Sequence, residues 1–132
     1  MKIKLTSVFV QDQNHALKFY TETLGFIEKR NMPLGEYKWL TVVSPDETNG
    51  AELLLEPNAN PASKTFQEAL YAQGVSAASF FVDDIGKQYA RLKDLGVNFK
   101  TDPTQMGHYS FAILDDTCGN WIVINQVGKK EH

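Results

Sequence analysis

Apolar residues along this chain follow two alternating periods. From Ile3 to Val10 and from Ser76 to Val82 they form short runs rich in β-branched and aromatic residues, the composition of strands. After each run the spacing becomes helical. Ala16, Phe19, Tyr20 and Leu24 fall on one stripe, and Ile85, Tyr89, Leu92 and Leu95 on another. Asp12 or Asn14, and Asp83 or Asp84, stand where these helices need N-caps. Gly25 and Gly96 stand where a helix end takes a left-handed residue. Three more strand patterns complete each series: Phe26–Met32, Tyr37–Val43 and Ala51–Glu56 in the first, Val97–Lys100, His108–Asp115 and Trp121–Gln126 in the second. Between the series, Asn60-Pro61 predicts the capped start of a short linking helix. Phe66 and Leu70 are its apolar stripe, Gly74 is its stop, and it is expected to pack over a sheet edge.

The two series are a repeat. "LTSVFVQD" from Leu5 matches "AASFFVDD" from Ala77, Leu24-Gly25-Phe26 matches Leu95-Gly96-Val97, and "GAELLLEP" from Gly50 matches "GNWIVINQ" from Gly119, each pair roughly 70 residues apart. Two units of this size indicate a duplicated module rather than a solenoid, which needs three or more short repeats. The expected architecture is α+β. A β-α-β-β-β module at 3–56, a linking helix within 57–74 and a second module at 75–127 lie in a single domain, 1–132, with curved mixed sheets around a cleft.

Strand parity divides the residues between two faces, because successive side chains alternate. Val8, Val10, Phe80, Val82, Leu53, Leu55, Ile122 and Ile124 go under the helices. The free face receives Leu5, Ser7 and Phe9; Ala77, Ser79 and Phe81; Glu52, Leu54 and Glu56; and Trp121, Val123 and Asn125. An apolar surface with sparse polar anchors is the composition of a small-molecule site. The candidate ligand-binding residues are therefore the aromatics Phe9, Trp39, Phe81, Tyr109, Phe111 and Trp121, with Glu52, Glu56 and Asn125 as polar readers. Any one of these rings could equally serve the core or a dimer interface, and the carboxylates could equally form surface salt bridges. Trp121 is the leading candidate, since its ring could stack on a planar ligand and its N–H could donate to one. "MGHYSF", Met106–Phe111, reads as a glycine hinge, with His108 either at the cleft mouth or simply exposed at a strand start.

Composition narrows the partners. The 132 residues are 42% hydrophobic and 22% charged, with net charge −3. That is enough chain for one ordinary core. No Lys/Arg cluster exceeds Lys129-Lys130, which argues against a nucleic-acid partner. No long apolar segment or cleavage-type leader is evident, so neither a membrane nor secretion is expected. A single cysteine, Cys118, fits a reducing cytoplasm. It lies in "DDTCGN", where Asp115 and Asp116 would raise rather than lower a thiol pKa, so a turn is expected there and not a nucleophile. Lys129–His132 reads as a frayed end.

The segments "FVQDQNHALKFYTETLGF", "FFVDDIGKQYARLKDLGV" and "DDTCGNWIVINQ" together resemble the vicinal oxygen chelate superfamily, the glyoxalase/bleomycin resistance/dioxygenase fold, over Ile3 to Gln126. "DDTCGN" is similar to the turn of one bacterial branch. The resemblance implies paired β-α-β-β-β modules. In metal-dependent members it implies a His, Glu or Gln ligand on the first and last strand of each module. Here those four positions read Leu5, Leu54, Ala77 and Val123. A divalent ion needs several N, O or S donors at roughly 2.0–2.3 Å, and aliphatic side chains offer none. The resemblance therefore implies a metal-free, cofactor-free binding protein of the bleomycin-resistance type, homodimeric, its cleft completed by a partner chain. Two alternatives stay open. One is a metal-dependent lyase or dioxygenase whose ligands lie elsewhere, with Glu52 or Glu56 brought to the metal level by a two-residue slip. The other is an interaction module with no small ligand.

Overall fold

A computed structural model of the chain describes residues 1–128; the expected frayed end, Lys129–His132, lies outside the described residues. The order is β1 (Leu5–Val10), α1 (Gln13–Lys18) continuing as a π-helical turn (Phe19–Thr23), β2 (Ile27–Leu34), β3 (Tyr37–Val43), β4 (Glu52–Pro57), α2 (Pro61–Gln73), β5 (Ser76–Phe81), α3 (Ile85–Asp94), β6 (Phe99–Met106), β7 (Tyr109–Asp115) and β8 (Trp121–Val127). The strands form two four-stranded sheets, ordered β1-β4-β3-β2 and β5-β8-β7-β6. In each, the first strand runs parallel to the last and the remaining pairs are antiparallel, so both sheets are mixed.

The predicted caps form. Asp12 accepts from His15 N at 3.0 Å and Asp84 accepts from Lys87 N at 3.0 Å, each satisfying a first-turn donor. Asn60 caps α2 ahead of Pro61, and Gly74 ends it in the left-handed region at φ 75°. Parity holds as well. Val8, Val10, Leu53, Leu55, Ile122 and Ile124 join one core with Ala16 and Tyr20 of the first helix and Ile85 and Leu92 of α3. Each fully buried Leu or Ile there contributes about 1.5–3 kcal/mol. The modules meet through these helix-bearing faces: Phe80 of β5 packs edge-on against Tyr20 and Phe26, at 6.4 and 5.1 Å between ring centroids. The opposite faces stay open, with Leu5 45% and Phe81 65% exposed.

Several sequence expectations need correction. β2 and β6 extend past Met32 and Lys100 to Leu34 and Met106, through Pro33 and Pro103. Both are sheet edges, where a strand tolerates a residue that cannot donate. His108 does not begin a strand. Gly107, at φ 62°, and His108 form a tight β6–β7 turn rather than a hinge, and the His108 carbonyl accepts from Gly128 N at 2.6 Å. Leu95 is exposed, because α3 ends at Asp94 and Val97 takes the buried place beyond the glycine. α2 does not bury an apolar stripe: Phe66 is exposed and Gln67 is buried. The amide of Gln67 donates to the carbonyls of Phe9 at 2.9 Å and Cys118 at 3.1 Å, which fastens the helix across β1 and the β7–β8 turn.

Candidate functional site

The open face of the first sheet is built from alternate residues of four strands. The register sets Met32 beside Trp39, Thr41 beside Leu54, and Phe9 beside Glu56. A hollow of about 360 Å³ lies here, its wall including Phe9, Leu34, Tyr37, Trp39, Leu54 and Glu56, together with Lys38, whose ammonium donates to Asn14 at 2.6 Å. That volume falls within the range of small-ligand sites. Glu56 is half-buried, and among the described residues its carboxylate has no hydrogen bond or ion pair. Glu52 lies four residues back along β4, with its side chain turned to the same face. It accepts from the buried Thr41 hydroxyl at 2.8 Å and pairs with Arg30 at 3.0 Å. The Thr41 hydrogen bond, aided by Arg30 and opposed by desolvation, holds the Glu52 carboxyl below its ordinary value. One carboxylate on this face is thus internally satisfied and the other has no partner among the described residues.

The open face of the second sheet is arranged differently. Phe81, Asn125 and Phe111 form one rank across β5, β8 and β7. Asn125 donates to the Ser79 hydroxyl. Tyr109 stands further out, opposite Val127, and is exposed. Trp121 is covered. Its ring stacks on Tyr71 of α2 at 4.8 Å and 6°, its N–H donates to the Tyr71 carbonyl at 3.0 Å, and Lys100 Nζ lies 5.6 Å from the ring centroid. Tyr71 in turn donates its hydroxyl to Asp115 at 2.7 Å. A second hollow, of about 260 Å³, lies between α2 and the edges of β1 and β5, with Ser7, Phe9, Phe66, Leu70, Tyr71 and Ala77 in its wall.

The structure therefore brings Phe9, Trp39 and Glu56 together. Phe81, Tyr109, Phe111, Trp121 and Asn125 lie on the other sheet, outside the wall of that hollow. Leu34 and Tyr37 also stand in the wall of this hollow and escaped the sequence reading. Tyr37 shares the parity of Trp39, a usable signal, whereas Leu34 was hidden behind Pro33. A larger hollow, about 660 Å³, opens at the seam between the modules beside Phe81 and Arg91. Its wall is rich in polar groups, among them Asp46, Glu47, Asp83 and Lys87, and the Arg91 guanidinium there donates to the Thr23 carbonyl at 2.9 Å and to Gln88 at 3.1 Å.

The four positions that would carry a metal sit on the open faces, Leu5 and Leu54 on the first sheet and Ala77 and Val123 on the second. Their side chains have no lone pairs, so this donor set does not fit a divalent ion. The register places Glu52 opposite Leu5, the slip considered above, but this carboxylate is held by Thr41 and Arg30. Among the described residues no group of three or more His, Cys, Asp or Glu side chains converges.

The segment around Cys118 is a turn with a buried centre. Asp116 is fully buried and accepts four hydrogen bonds: from the Tyr20 hydroxyl at 2.7 Å, Asn120 Nδ2 at 2.8 Å, Cys118 N at 2.8 Å and Asn120 N at 3.0 Å. Burial raises the Asp116 carboxyl above its usual value, with these four donors pulling the other way. Thr117 and Gly119 take positive φ, 58° and 101°, as the tight reversal requires. Burial, then the Asp116 charge, pushes the Cys118 thiol far up, which removes the thiolate that nucleophilic chemistry needs.

Two β-α-β-β-β units joined through their helices, with ligand-sized hollows on the open side, define a paired-module α+β protein of the kind that houses small molecules. Residues 2–124 match the Glyoxalase/Bleomycin resistance protein/Dioxygenase superfamily, and the chain belongs to that family. It is 56% identical to YurT of Bacillus subtilis (strain 168), over 96% of this chain and 99% of that one. Among solved structures it resembles UcmS2, with a TM-score of 0.83 and 29% identity over 95% of this chain and 97% of that one. It also resembles TnmS3, an antibiotic binding protein from Streptomyces sp. CB03234, with a TM-score of 0.77 and 27% identity over 97% of each chain. No helix among the described residues is long and apolar enough to cross a membrane.

Proposed function

We propose that this protein binds an aromatic small molecule carrying a positive charge, holds it on the open face of the first sheet, and does so without a metal. The observation that carries this reading is the carboxylate of Glu56, without a partner among the described residues and half-buried in a hollow walled by Phe9, Tyr37 and Trp39. Aromatic faces attract a cation and stack on a planar ring, and a half-buried carboxylate beside them gains from a cationic partner. The resemblance to an antibiotic binding protein supports binding of a small molecule. Aliphatic residues at the four ligand positions support a metal-free site. The protein acts as a homodimer in the cytoplasm: Leu34, Tyr37, Phe81 and Tyr109 are exposed on the open faces, and a second copy would cover them.

The test uses Trp121→Phe protein, in which Trp39 is the remaining tryptophan, titrated with 1-methylquinolinium. Saturable quenching of Trp39 is expected, unchanged by EDTA and weakened about tenfold by Glu56→Gln, the equivalent of about 1.4 kcal/mol. Quenching that disappears with EDTA and returns with zinc, nickel or manganese would replace this reading with the metal-dependent one.

A further inference from the structure

Phe9 stands in the wall of both the 360 Å³ hollow on the first sheet and the 260 Å³ hollow beneath α2. Its strand explains why. β1 is an edge of the first sheet, so its open face has β4 on one side and, on the other, the space bounded by α2 and β5. The register ranks Phe9 with Glu56 and Ser7 with Leu54, so one row of side chains leads from the first hollow across β1 into the second. We propose that the Phe9 ring partitions a single elongated site and sets the length of ligand the protein accepts. This inference rests on the binding reading above and names the ligand more closely: an aromatic cation with an extended apolar tail. The charged ring lies at Glu56 and Trp39, and the tail passes Phe9 toward Leu70 and Ala77.

The backbone and the ring of Phe9 are held differently. Its carbonyl accepts from Gln67 Nε2 at 2.9 Å and from Asn120 Nδ2 at 2.8 Å, which pins the strand to α2 and to the β7–β8 turn. Its ring is half-buried and belongs to none of the ring–ring pairs among the described residues. The movable part is therefore the ring, which can change rotamer without moving the sheet. Taken singly, the first hollow lies in the lower part of the range of ligand sites, which begins at roughly 300 Å³, and the second falls below it; joined, they reach the middle of that range.

The experiment compares 1-methylquinolinium, which fits one hollow, with thioflavin T, an elongated aromatic cation. Phe9→Ala is expected to raise the affinity for thioflavin T relative to 1-methylquinolinium by about tenfold. Phe9→Trp is expected to lower that ratio below the wild-type value. With Trp39→Phe also present, Trp121 is the remaining tryptophan. It stacks on Tyr71 in the wall of the second hollow, so thioflavin T bound to the Phe9→Ala protein should change its emission. Circular dichroism checks folding, and Phe9→Leu replaces Phe9→Ala if the latter unfolds. A ratio within twofold of wild type in the opened variant, with 1-methylquinolinium still quenching Trp39, overturns the partition and leaves the binding reading standing. If 1-methylquinolinium fails to quench Trp39 in protein with Phe9 intact, the binding reading falls and the partition falls with it.

Discussion

The two halves share topology and nearly share register, yet they use their polar groups in opposite ways. In the second half the turn at 115–120 is a fastening. Asp116 and Asn120 bind each other, Tyr20 of the first helix and the Phe9 carbonyl, while Trp121 and Asp115 engage Tyr71 of α2. The matching turn at 44–50 lies almost wholly exposed and closes on itself through Glu47 N to Ser44 O at 3.1 Å and Gly50 N to Glu47 O at 2.8 Å. On the sheet faces, Asn125 of the second half is bonded to Ser79, whereas Glu56 of the first half has no partner among the described residues. The duplicated scaffold thus differs at matching places: the second turn is bonded into the fold, whereas the first turn is exposed and the sheet face beside it carries a carboxylate with no partner among the described residues.

The sharpest way to break this contrast is to delete one aspartate from each turn. Asp116→Ala leaves the Tyr20 hydroxyl, both Asn120 donors and Cys118 N without their acceptor in a buried place. Each unsatisfied buried donor costs about 1–3 kcal/mol, so a loss of at least about 3 kcal/mol is expected. Asp46→Ala removes an exposed side chain that makes none of these bonds, and should stay within about 0.5 kcal/mol. Urea midpoints at constant m-value measure both. Similar losses in the two variants would erase the distinction between a fastening turn and a free one.

A smaller effect tests the other side of the contrast. If Glu56 is retained for a ligand rather than for the fold, Glu56→Gln should weaken binding while leaving the ligand-free protein unchanged or more stable by about 0.5 kcal/mol, since it removes a half-buried charge that has no partner among the described residues. A clear drop in the urea midpoint would give Glu56 a structural role and weaken the case for a binding half.

Residues that alternate along strands were legible before the structure. The duplicated octets and the parity of Val8, Val10, Ile122 and Ile124 depend on local periodicity, and local periodicity survives into the fold. The caps at Asp12, Asp84 and Asn60 were legible for the same reason. Contacts between distant segments were not. Trp121 looked like the open ring of the cavity because nothing in its strand announces that Tyr71, 50 residues earlier, lies over it. The turn formers around Cys118 indicated a reversal, but the burial of Asp116 depends on Tyr20, 96 residues away. The π-helical turn, with Leu24 N bonded to Phe19 O, leaves no mark in the spacing of apolar residues. Part of the wall of the first-sheet hollow was legible: Phe9, Trp39 and Glu56 were singled out, but that they share one hollow without the second-half aromatics depends on contacts between distant segments.

The finest expected difference between the halves lies in their response to acid. Asp116 has a raised carboxyl pKa, chiefly from burial, so the fold favours its neutral form. Its effect on stability is therefore nil below the unfolded value of about 3.9 and increasingly unfavourable as pH climbs toward the raised folded value. Glu52 has a lowered pKa, chiefly from the Thr41 hydroxyl, so the fold favours its charged form. Its contribution is present above the unfolded value of about 4.3 and fades as pH drops toward the lowered folded value. Acidification thus relieves one half and weakens the other. The gap in unfolding free energy between wild type and Asp116→Asn should widen from pH 7 to pH 4, because wild type gains a protonation the variant lacks. The gap between wild type and Glu52→Gln should narrow as pH falls below about 4.3, because wild type loses the charge that Thr41 and Arg30 hold. Urea titrations at both pH values read the two signs directly. If the two gaps move in the same direction, the carboxylates share one kind of environment and the division of roles between the halves does not extend to their electrostatics.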